Sequence, residues 1–324
     1  MSSNDQVPPR PSRAELAFAS PRKLPKPKEL RGRVVVLDVA FASEASSGGF
    51  SKITLPFLEG LGPRLAGWVD HHDHVRHADY AGDPRFVLTT KAEHGACPEI
   101  VTPELVKRIG PVDTIVCHTD FDGLASAAKW MRGGVEPYPG CDEDARAIDT
   151  RIGTPSSVAQ RFDRAIRGRP RDTALFGVIV RHLANGLEDA SLWEPIDRAA
   201  ESFAKSEHEA RRIAASYQLV ELGGERVGVP RGCDRLAFVD ATKSHGLYDK
   251  TLLLLLGQER APIAMLRDMD TLSLAASFDS GIDFLAVLGL SGGMPTLVSV
   301  QHSRMEEALT RLGASRADIL RLTS

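Results

Sequence analysis

Short apolar runs alternate with amphipathic stretches along the first half of the chain. The runs are rich in β-branched residues, and the stretches between them carry apolar residues at helical spacing. This alternation is typical of strands and helices that pack as a mostly parallel sheet with helices on both faces, so the predicted fold class is α/β. Strands are predicted at 33–38, 65–70, 85–89 and 112–120, and helices at 53–62, 121–132 and 156–168.

The pattern changes in the second half. A long charged stretch over 186–222 predicts a linker helix between two domains. The first and larger domain is predicted over 31–185, and a smaller α+β domain over 223–324. In that smaller domain, strands are predicted at 227–230, 235–241, 263–268, 272–277 and 297–301, with helices at 248–256 and 303–312.

The remaining segment, residues 1–30, holds six prolines and scattered Arg and Lys with little to bury, which predicts a disordered tail. It lacks the apolar region of a secretory signal. No run approaches the roughly 18 apolar residues of a membrane span. We therefore expect a cytoplasmic protein that is not embedded in a membrane.

Charge and cysteine content exclude further classes. The formal net charge of the 324 residues is −3, so no global basic field favours duplex nucleic acid. Aromatic residues make up 6% of the chain. Few platforms for stacking bases are therefore present. The four cysteines fall at no CxxC spacing and are interpreted as buried or incidental thiols, not as a disulfide framework.

Three of the predicted strands end in metal-type ligands. Asp38 ends the first, and Asp70 with His71 and His72 ends the second. His118, followed by Asp120 and Asp122, ends the strand near residue 118. The stretch WVDHHDHVRH (68–77) could by itself be a histidine-rich charged turn. Because the carboxyl ends of parallel strands line one crevice, however, we expect these side chains to meet there.

The ligand types restrict the metal. Carboxylates and imidazoles without cysteine favour Mn²⁺, leave Mg²⁺, Co²⁺ or Zn²⁺ open, and exclude a thiolate zinc site. Four or more carboxylates with two histidines exceed what one ion needs. They favour two ions bridged by one carboxylate, roughly 3.5–4 Å apart, as in phosphoryl-transfer sites.

Two motifs carry a resemblance to a known family. Asp70-His71-His72 and the run HTDFDG (118–123) together resemble the DHH phosphoesterase superfamily. Asp38 matches a lone Asp of that family, and Asp149-Thr150 matches a later Asp-Thr. The second domain resembles a divergent DHHA1 domain, in which GLSGGMPT (289–296) is similar to a substrate-contacting glycine motif.

The resemblance implies a role for each matched residue. Asp38, His118 and Asp120 would hold one ion. Asp122, His71 and Asp149 would hold the other, with Asp38 bridging the two ions. Asp70 would orient His71 or its neighbours, and His72 would face the substrate phosphate, as would Gly292 and Gly293 of a second domain closing over the site. His74 and His77 have no counterpart and are interpreted as surface or rim histidines.

One departure from the family concerns motif order. The family carries HxDxDG first, then the lone Asp, then DHH. Here Asp38 and DHH precede HTDFDG, which resembles a permutation of the catalytic domain. Parallel sheets tolerate such reordering if the strands keep their places in space.

The expected function is hydrolysis of a small phosphate-bearing substrate by a two-metal bridging hydroxide. The substrate would be a short oligonucleotide, a cyclic dinucleotide, phosphoadenosine phosphate or a pyrophosphate-like compound. Two alternatives stay open at this point: a non-catalytic nucleotide-binding sensor with the same fold, and a single-strand exonuclease recruited through the basic tail. A homodimer is a further expectation.

Overall fold

The structure is a computed structural model that describes residues 14–43, 48–244, 247–290 and 294–323. These residues form two compact units. The first contains the described residues up to Phe41 together with Ser51–Glu201. The second contains those of Ala42–Phe50 and of Ser202–Ser324.

The first unit is built on five strands. They are β1 (Glu15–Ala19), β2 (Val34–Leu37), β3 (Leu65–Asp70), β4 (Phe86–Leu88) and β5 (Thr114–His118). Its helices are α1 (Leu55–Leu61), α2 (Pro103–Ile109), α3 (Phe121–Met131), α4 (Cys141–Thr150), α5 (Ser157–Gly168), α6 (Thr173–Ala184) and α7 (Trp193–Ala214), the last of which continues into the second unit.

The first sheet is entirely parallel, with the strand order β1-β5-β2-β3-β4. From β2 the chain runs to β3 and β4 on one side, and then returns to form β5 on the other side of β2. The strand order therefore reverses between β2 and β5. Ligands of open α/β sheets bind beyond the carboxyl ends of the strands at such a switch point.

Helices cover both faces of this sheet, as the sequence predicts. On β3, Val69 packs into a core cluster with Leu124 of α3. Its neighbour Trp68 points to the opposite face, since side chains alternate along a strand. There its ring lies 6.0 Å from that of Phe57 in α1. Every residue of β2 and β3 is buried, as expected for central parallel strands.

The predicted tail is wrong over part of its length. Glu15–Ala19 form β1, which pairs with β5 in parallel from Glu15 opposite Thr114 to Ala19 opposite His118. Leu16 and Phe18 pack against the core of the first unit. The prolines on either side hid this edge strand, whose apolar alternation is short and only half-buried. Residues 1–13 lie outside the described residues.

The second unit carries a mixed sheet. Its strands are β6 (Gln218–Glu221), β7 (Arg235–Asp240), β8 (Ile263–Arg267), β9 (Thr271–Ala275) and β10 (Leu297–Gln301). Its further helices are α8 (Lys250–Gln258), α9 (Phe284–Leu288), α10 (Met305–Arg311) and α11 (Arg316–Thr323). The strand order is β10-β9-β8-β7-β6, and only β7 and β8, joined through α8, pair in parallel.

Two further predictions differ from the structure. The strand at 227–230 does not form, because Gly228 has a φ of 73° and Val227 is exposed. The long helix α7 (Trp193–Ala214) is shorter than the predicted linker helix over 186–222, and the division between the two units falls within it, after Glu201. Within the described ranges, no helix has both the length and the apolar character needed to cross a bilayer.

Candidate metal centre

The six predicted metal ligands lie together in the first unit: five come from the carboxyl ends of β2, β3 and β5, and the sixth, Asp149, comes from the last turn of α4. Three groups of side chains each bring their ligand atoms within 4.8 Å of one another. We call Asp38, His118 and Asp120 the first position, and His71, Asp122 and Asp149 the second position. The remaining group is Asp38, His71 and His72. Asp38 thus adjoins both positions, in the place where a bridging ligand is expected.

Asp38 follows β2 at the switch point of the sheet. Its backbone has a φ of 59°. This is a left-handed conformation, which Asp adopts more readily than most residues and which is concentrated at functional sites. Its carboxylate is buried, and both oxygens lack a hydrogen bond among the described residues. Burial, reinforced by the charges of Asp122 and Asp120, raises the pKa of Asp38 well above its usual value.

The ring of His71 is held by a backbone carbonyl group. Its Nδ1 lies 2.8 Å from the carbonyl oxygen of His94, to which it donates. This contact leaves Nε2 to face the carboxylates. Nε2 lies 3.2 Å from Asp38 Oδ1, 3.3 Å from Asp122 Oδ2 and 3.8 Å from Asp149 Oδ2. Burial alone lowers the pKa of His71, but Asp122 and Asp38 raise it to about 12 in the metal-free chain.

His118 and Asp120 form the open side of the first position. His118 Nδ1 lies 2.7 Å from Asp120 Oδ2 and 3.6 Å from Asp38 Oδ2. Burial by itself lowers the pKa of His118, but the Asp120 charge raises it well above its usual value. Asp120 also precedes α3, where its Oδ1 accepts from the Gly123 backbone N–H at 3.3 Å. This is the contact of a helix N-cap.

Gly123 is required by close packing. A Cβ atom there would lie 2.7 Å from the carbonyl oxygen of His118 and 2.8 Å from its Cβ. A larger residue would therefore push the start of α3 away from the end of β5. The small residue in HTDFDG thus keeps Asp120 and Asp122 close to His118.

Asp122 is held by a backbone N–H from the loop after β4. The N–H of Cys97, at the start of a short 3-10 turn over Cys97–Glu99, donates to Asp122 Oδ2 at 3.2 Å. Pro98 follows in this turn, and the N–H of Cys97 before it is left to donate to the carboxylate.

Asp70 orients His72. Asp70 Oδ1 lies 2.8 Å from His72 Nδ1, which donates to it and leaves Nε2 for other contacts. Although burial alone raises the pKa of Asp70, the His72 charge and hydrogen bond lower it overall. Nδ1 of His72 is also 3.9 Å from Asp38 Oδ1, but its proton is already committed to Asp70. Asp70 thus contacts His72, the second histidine of the motif.

Lys91 also lies at this site. It is 4% exposed, and its Nζ donates to Asp149 Oδ2. Burial alone lowers the pKa of Lys91, but the charges of Asp149, Asp122 and Asp38 raise it above its usual value. The contact joins residues 58 positions apart in sequence, so no local pattern indicates it.

The residues present fit divalent ions. Buried atoms without a hydrogen bond in the described structure include both Asp38 oxygens, His71 Nε2 and His118 Nδ1. A cation would satisfy all of them. Metal–ligand bonds of about 2.1 Å hold neighbouring ligand atoms about 3 Å apart, close to the His71 spacings above. The nearby thiol Cys97 has its pKa raised by burial, so the donors are oxygen and nitrogen.

The other predicted residues have separate outcomes. His74 and His77 take no part in the three groups. They are half-buried, with rings 5.6 and 5.1 Å from the ring of Phe41. Gly292 and Gly293 lie outside the described residues, so their contact with substrate stays a prediction, as does closure of the second domain over the site.

Comparisons with known proteins add no assignment. No family model matches the chain, and no curated protein matches it in sequence. The function must therefore be inferred from the residues themselves.

Proposed function

We propose that this protein is a divalent-metal-dependent phosphoesterase of the DHH type that hydrolyses a small phosphate-bearing substrate. The observation that carries the proposal is the shared position of Asp38. It lies between a first position with His118 and Asp120 and a second position with His71, Asp122 and Asp149. Two adjacent ligand sets with a common carboxylate suit a pair of ions acting on one phosphate.

The spatial order of the strands supports the DHH resemblance despite the altered motif order. Along the chain the motifs come as Asp38, DHH and HTDFDG. Across the sheet, however, their strands lie as β5-β2-β3, so that HTDFDG is followed by the lone Asp and then by DHH. This is the order in which the family carries its motifs along the chain. A permutation that preserves strand positions is consistent with this arrangement.

The chain's own residues have distinct tasks in this mechanism. When bound, the ions would neutralise phosphate charge and supply an activated water. Mn²⁺ is the first candidate, with Mg²⁺, Co²⁺ or Zn²⁺ as alternatives. Asp70 holds the Nδ1 proton of His72, so Nε2 can carry a proton to a leaving oxygen. The His94 carbonyl and the Cys97 N–H fix the orientations of His71 and Asp122.

The exposed side of the site indicates where a substrate approaches. The side chains of Asp38 and His71 are fully buried, whereas Asp120 is 44% and His118 23% exposed. His72 and Asp149 are partly exposed as well. A phosphate therefore approaches beside Asp120, His118 and His72. Because the net charge is −3, a short substrate is favoured over long nucleic acid.

The test is an activity screen with the Mn²⁺-loaded full chain. The substrates are dinucleotides, cyclic dinucleotides, phosphoadenosine phosphate and pyrophosphate. We expect hydrolysis of at least one, its loss on chelation, and its loss in Asp122→Asn. His208→Ala, an exposed histidine of α7, is the control and should retain full activity. Tight binding without turnover would support the sensor instead, and absence of both Mn²⁺ binding and turnover would overturn the proposal.

The exonuclease alternative is tested by a deletion within the N-terminal segment. Deleting all of residues 1–30 would remove β1 from the sheet, so loss of activity in that variant would say nothing about recruitment. A deletion of residues 1–13 leaves β1 in place. Loss of salt-dependent single-strand binding in that variant would favour the exonuclease. A homodimer and a cytoplasmic location stay predictions from the sequence.

A further inference from the structure

Lys91 places a buried ammonium group beside one of the two metal positions. It follows β4 and is 4% exposed, and its Nζ contacts Asp149 Oδ2. That same oxygen lies 3.8 Å from His71 Nε2 and completes the second position. The lysine therefore occupies an oxygen that an ion in the second position would use.

Among the described residues, no lysine or arginine forms an ion pair with the carboxylates of the first position. The ion-pair partner of Asp120 is His118, at 2.7 Å, and His118 also lies 3.6 Å from Asp38. A neutral imidazole is a metal ligand, whereas an ammonium group has no lone pair to offer. An ion that enters the first position therefore meets only groups that can act as ligands, whereas an ion that enters the second position must take Asp149 from a fixed cation.

Charge around the two positions points the same way. Asp38, Asp120, Asp122 and Asp149 supply four negative charges, which two divalent ions would balance. Lys91 adds a positive charge that the second ion meets at short range, in a buried region where screening is weak. Burying an ammonium is itself unfavourable without an acidic partner, so Lys91 holds Asp149 firmly until an ion replaces it.

We propose that Lys91 makes the two metal positions unequal: its hold on Asp149 weakens the second position, so that the first position fills at lower free metal concentration. This inference rests on the proposed function in one respect, that divalent ions bind at these groups. It adds that full activity depends on free metal concentration through the second, weaker position.

The experiment is a calorimetric titration of the metal-stripped full chain with Mn²⁺, with Mn²⁺ electron paramagnetic resonance as an independent count of bound ions. For the wild type we expect two binding steps that differ at least about 10-fold in Kd. In Lys91→Met, which keeps most of the volume without the charge, the second step should tighten by about 10-fold or more. The first step should tighten less than the second, because the first position does not use Asp149.

Lys129→Met is the matched control. Lys129 is also a buried lysine, 6% exposed, and it pairs with a carboxylate, Asp142, outside the three ligand groups. Its loss should leave both Mn²⁺ steps unchanged even if the fold is destabilised. Lys91→Arg keeps the charge and should keep the steps unequal. Asp149→Asn should weaken or abolish the second step and retain the first, which tests the assignment if Lys91→Met does not fold.

The outcomes separate the two proposals. If Lys91→Met leaves the second step unchanged or weakens it, the inference is overturned, while metal binding and the phosphoesterase proposal stand. Equal steps in the wild type overturn it as well. If the wild type binds no Mn²⁺ at all, the phosphoesterase proposal fails and the inference fails with it.

Discussion

The two sheets differ in whether the charged residues at their strand ends are paired with partners of opposite charge. In the first unit all five strands are parallel, so the carboxyl ends of β2, β3 and β5 meet at one edge. They bring Asp38, Asp70 and His118 together. All three groups of close metal-type ligands found among the described residues lie in this unit. Neither oxygen of Asp38 accepts a hydrogen bond from any residue that the structure describes.

In the second unit only β7 and β8 are parallel, and the residues at their ends pair with one another. Asp240 accepts from the backbone N–H of Thr242 at 2.8 Å and from its hydroxyl at 2.6 Å, and it lies 3.6 Å from Arg267. Asp268 pairs with Lys250. The carboxyl ends of parallel strands therefore carry paired charges in the second unit and an excess of carboxylates in the first. Such an excess indicates an ion as the missing partner.

The largest expected effect comes from removing one carboxylate of the excess. Asp122→Asn should lower kcat/KM by about 10³-fold or more, since a ligand of the second position is lost while the shape of the side chain is kept. Asp240→Asn, at the corresponding strand end of the second unit, should stay within about 2-fold, because exposed ion pairs contribute little. Steady-state kinetics with Mn²⁺ measures both. Equal losses in the two variants would remove the distinction between the sheets.

The next effect separates the two histidines of the DHH motif. The Nδ1 proton of His72 is committed to Asp70. His72→Ala should therefore lower kcat by about 10²–10⁴-fold and retain bound metal. His71→Ala should lose Mn²⁺ affinity together with activity. The measurement is metal content per mole of each variant beside its kcat. Loss of metal from the His72 variant alone would reverse the two roles.

A smaller effect concerns stability. At about 100 times its Kd, Mn²⁺ should stabilise the first unit by about 2.7 kcal/mol. Asp38→Asn should abolish this gain. In the metal-free protein it should instead stabilise the unit by about 1 kcal/mol, because it removes a carboxyl group whose ionisation is unfavourable in this buried place beside other carboxylates. Those carboxylates are Asp122 and Asp120. Asn also tolerates the left-handed backbone of this position.

Tryptophan fluorescence measures this effect in one unit alone. Trp68, Trp130 and Trp193, the three tryptophans of the chain, all lie in the first unit. Urea unfolding followed in this way, with and without Mn²⁺, therefore reports on the metal-binding unit. Hydrogen exchange in β7 and β8 provides the comparison, and it should not respond to Mn²⁺. Destabilisation by Asp38→Asn in the absence of metal would contradict the account of that carboxylate.

Elements with strong local patterns could be predicted from the sequence. The strand predicted at 65–70 is β3, because a buried apolar run has few alternative conformations. The strand ends then follow from topology, which is why five of the six ligand residues could be grouped, whereas Asp149 lies in α4 and is matched only through the family resemblance. By contrast, β1 depends on pairing with β5, a contact over about a hundred positions. Strand propensity is a local property and does not indicate such long-range pairing.

Two polar features could not be predicted for a related reason. An acidic run such as Asp142–Asp144 is, from its local sequence alone, compatible with a solvated loop or a cation site, but it forms the first turn of α4. Asp144 is buried there, and it accepts from the Tyr138 hydroxyl at 2.8 Å and from the backbone N–H of Ser156 at 2.6 Å. Lys91 is the second such feature, since nothing near it in sequence indicates Asp149. Both roles are created by distant partners, and a charged side chain looks solvated until its partner is known.

The smallest expected effect concerns a second set of unsatisfied polar atoms in the first unit, outside the three groups of metal-type ligands. His182 of α6 is fully buried against Trp193, with ring centroids 4.5 Å apart, and neither ring nitrogen has a hydrogen bond within the described ranges. Burial lowers the pKa of His182. The unfolded chain therefore binds a proton below about pH 6.5 while the folded chain stays neutral. Stability is complete above that pH and is lost as the pH falls toward the folded pKa.

His182→Leu removes both the proton and the unsatisfied nitrogens. We expect it to stabilise the first unit by about 1 kcal/mol at pH 7 and by more at pH 5, since leaving a buried polar group unpaired is unfavourable. Urea unfolding with chelator, followed by tryptophan fluorescence between pH 5 and 8, measures the difference from wild type. His208→Leu, exposed on α7, should match the wild-type profile. If the wild type and His182→Leu lose stability in parallel on acidification, the acid sensitivity arises elsewhere, with the site carboxylates as the remaining candidates.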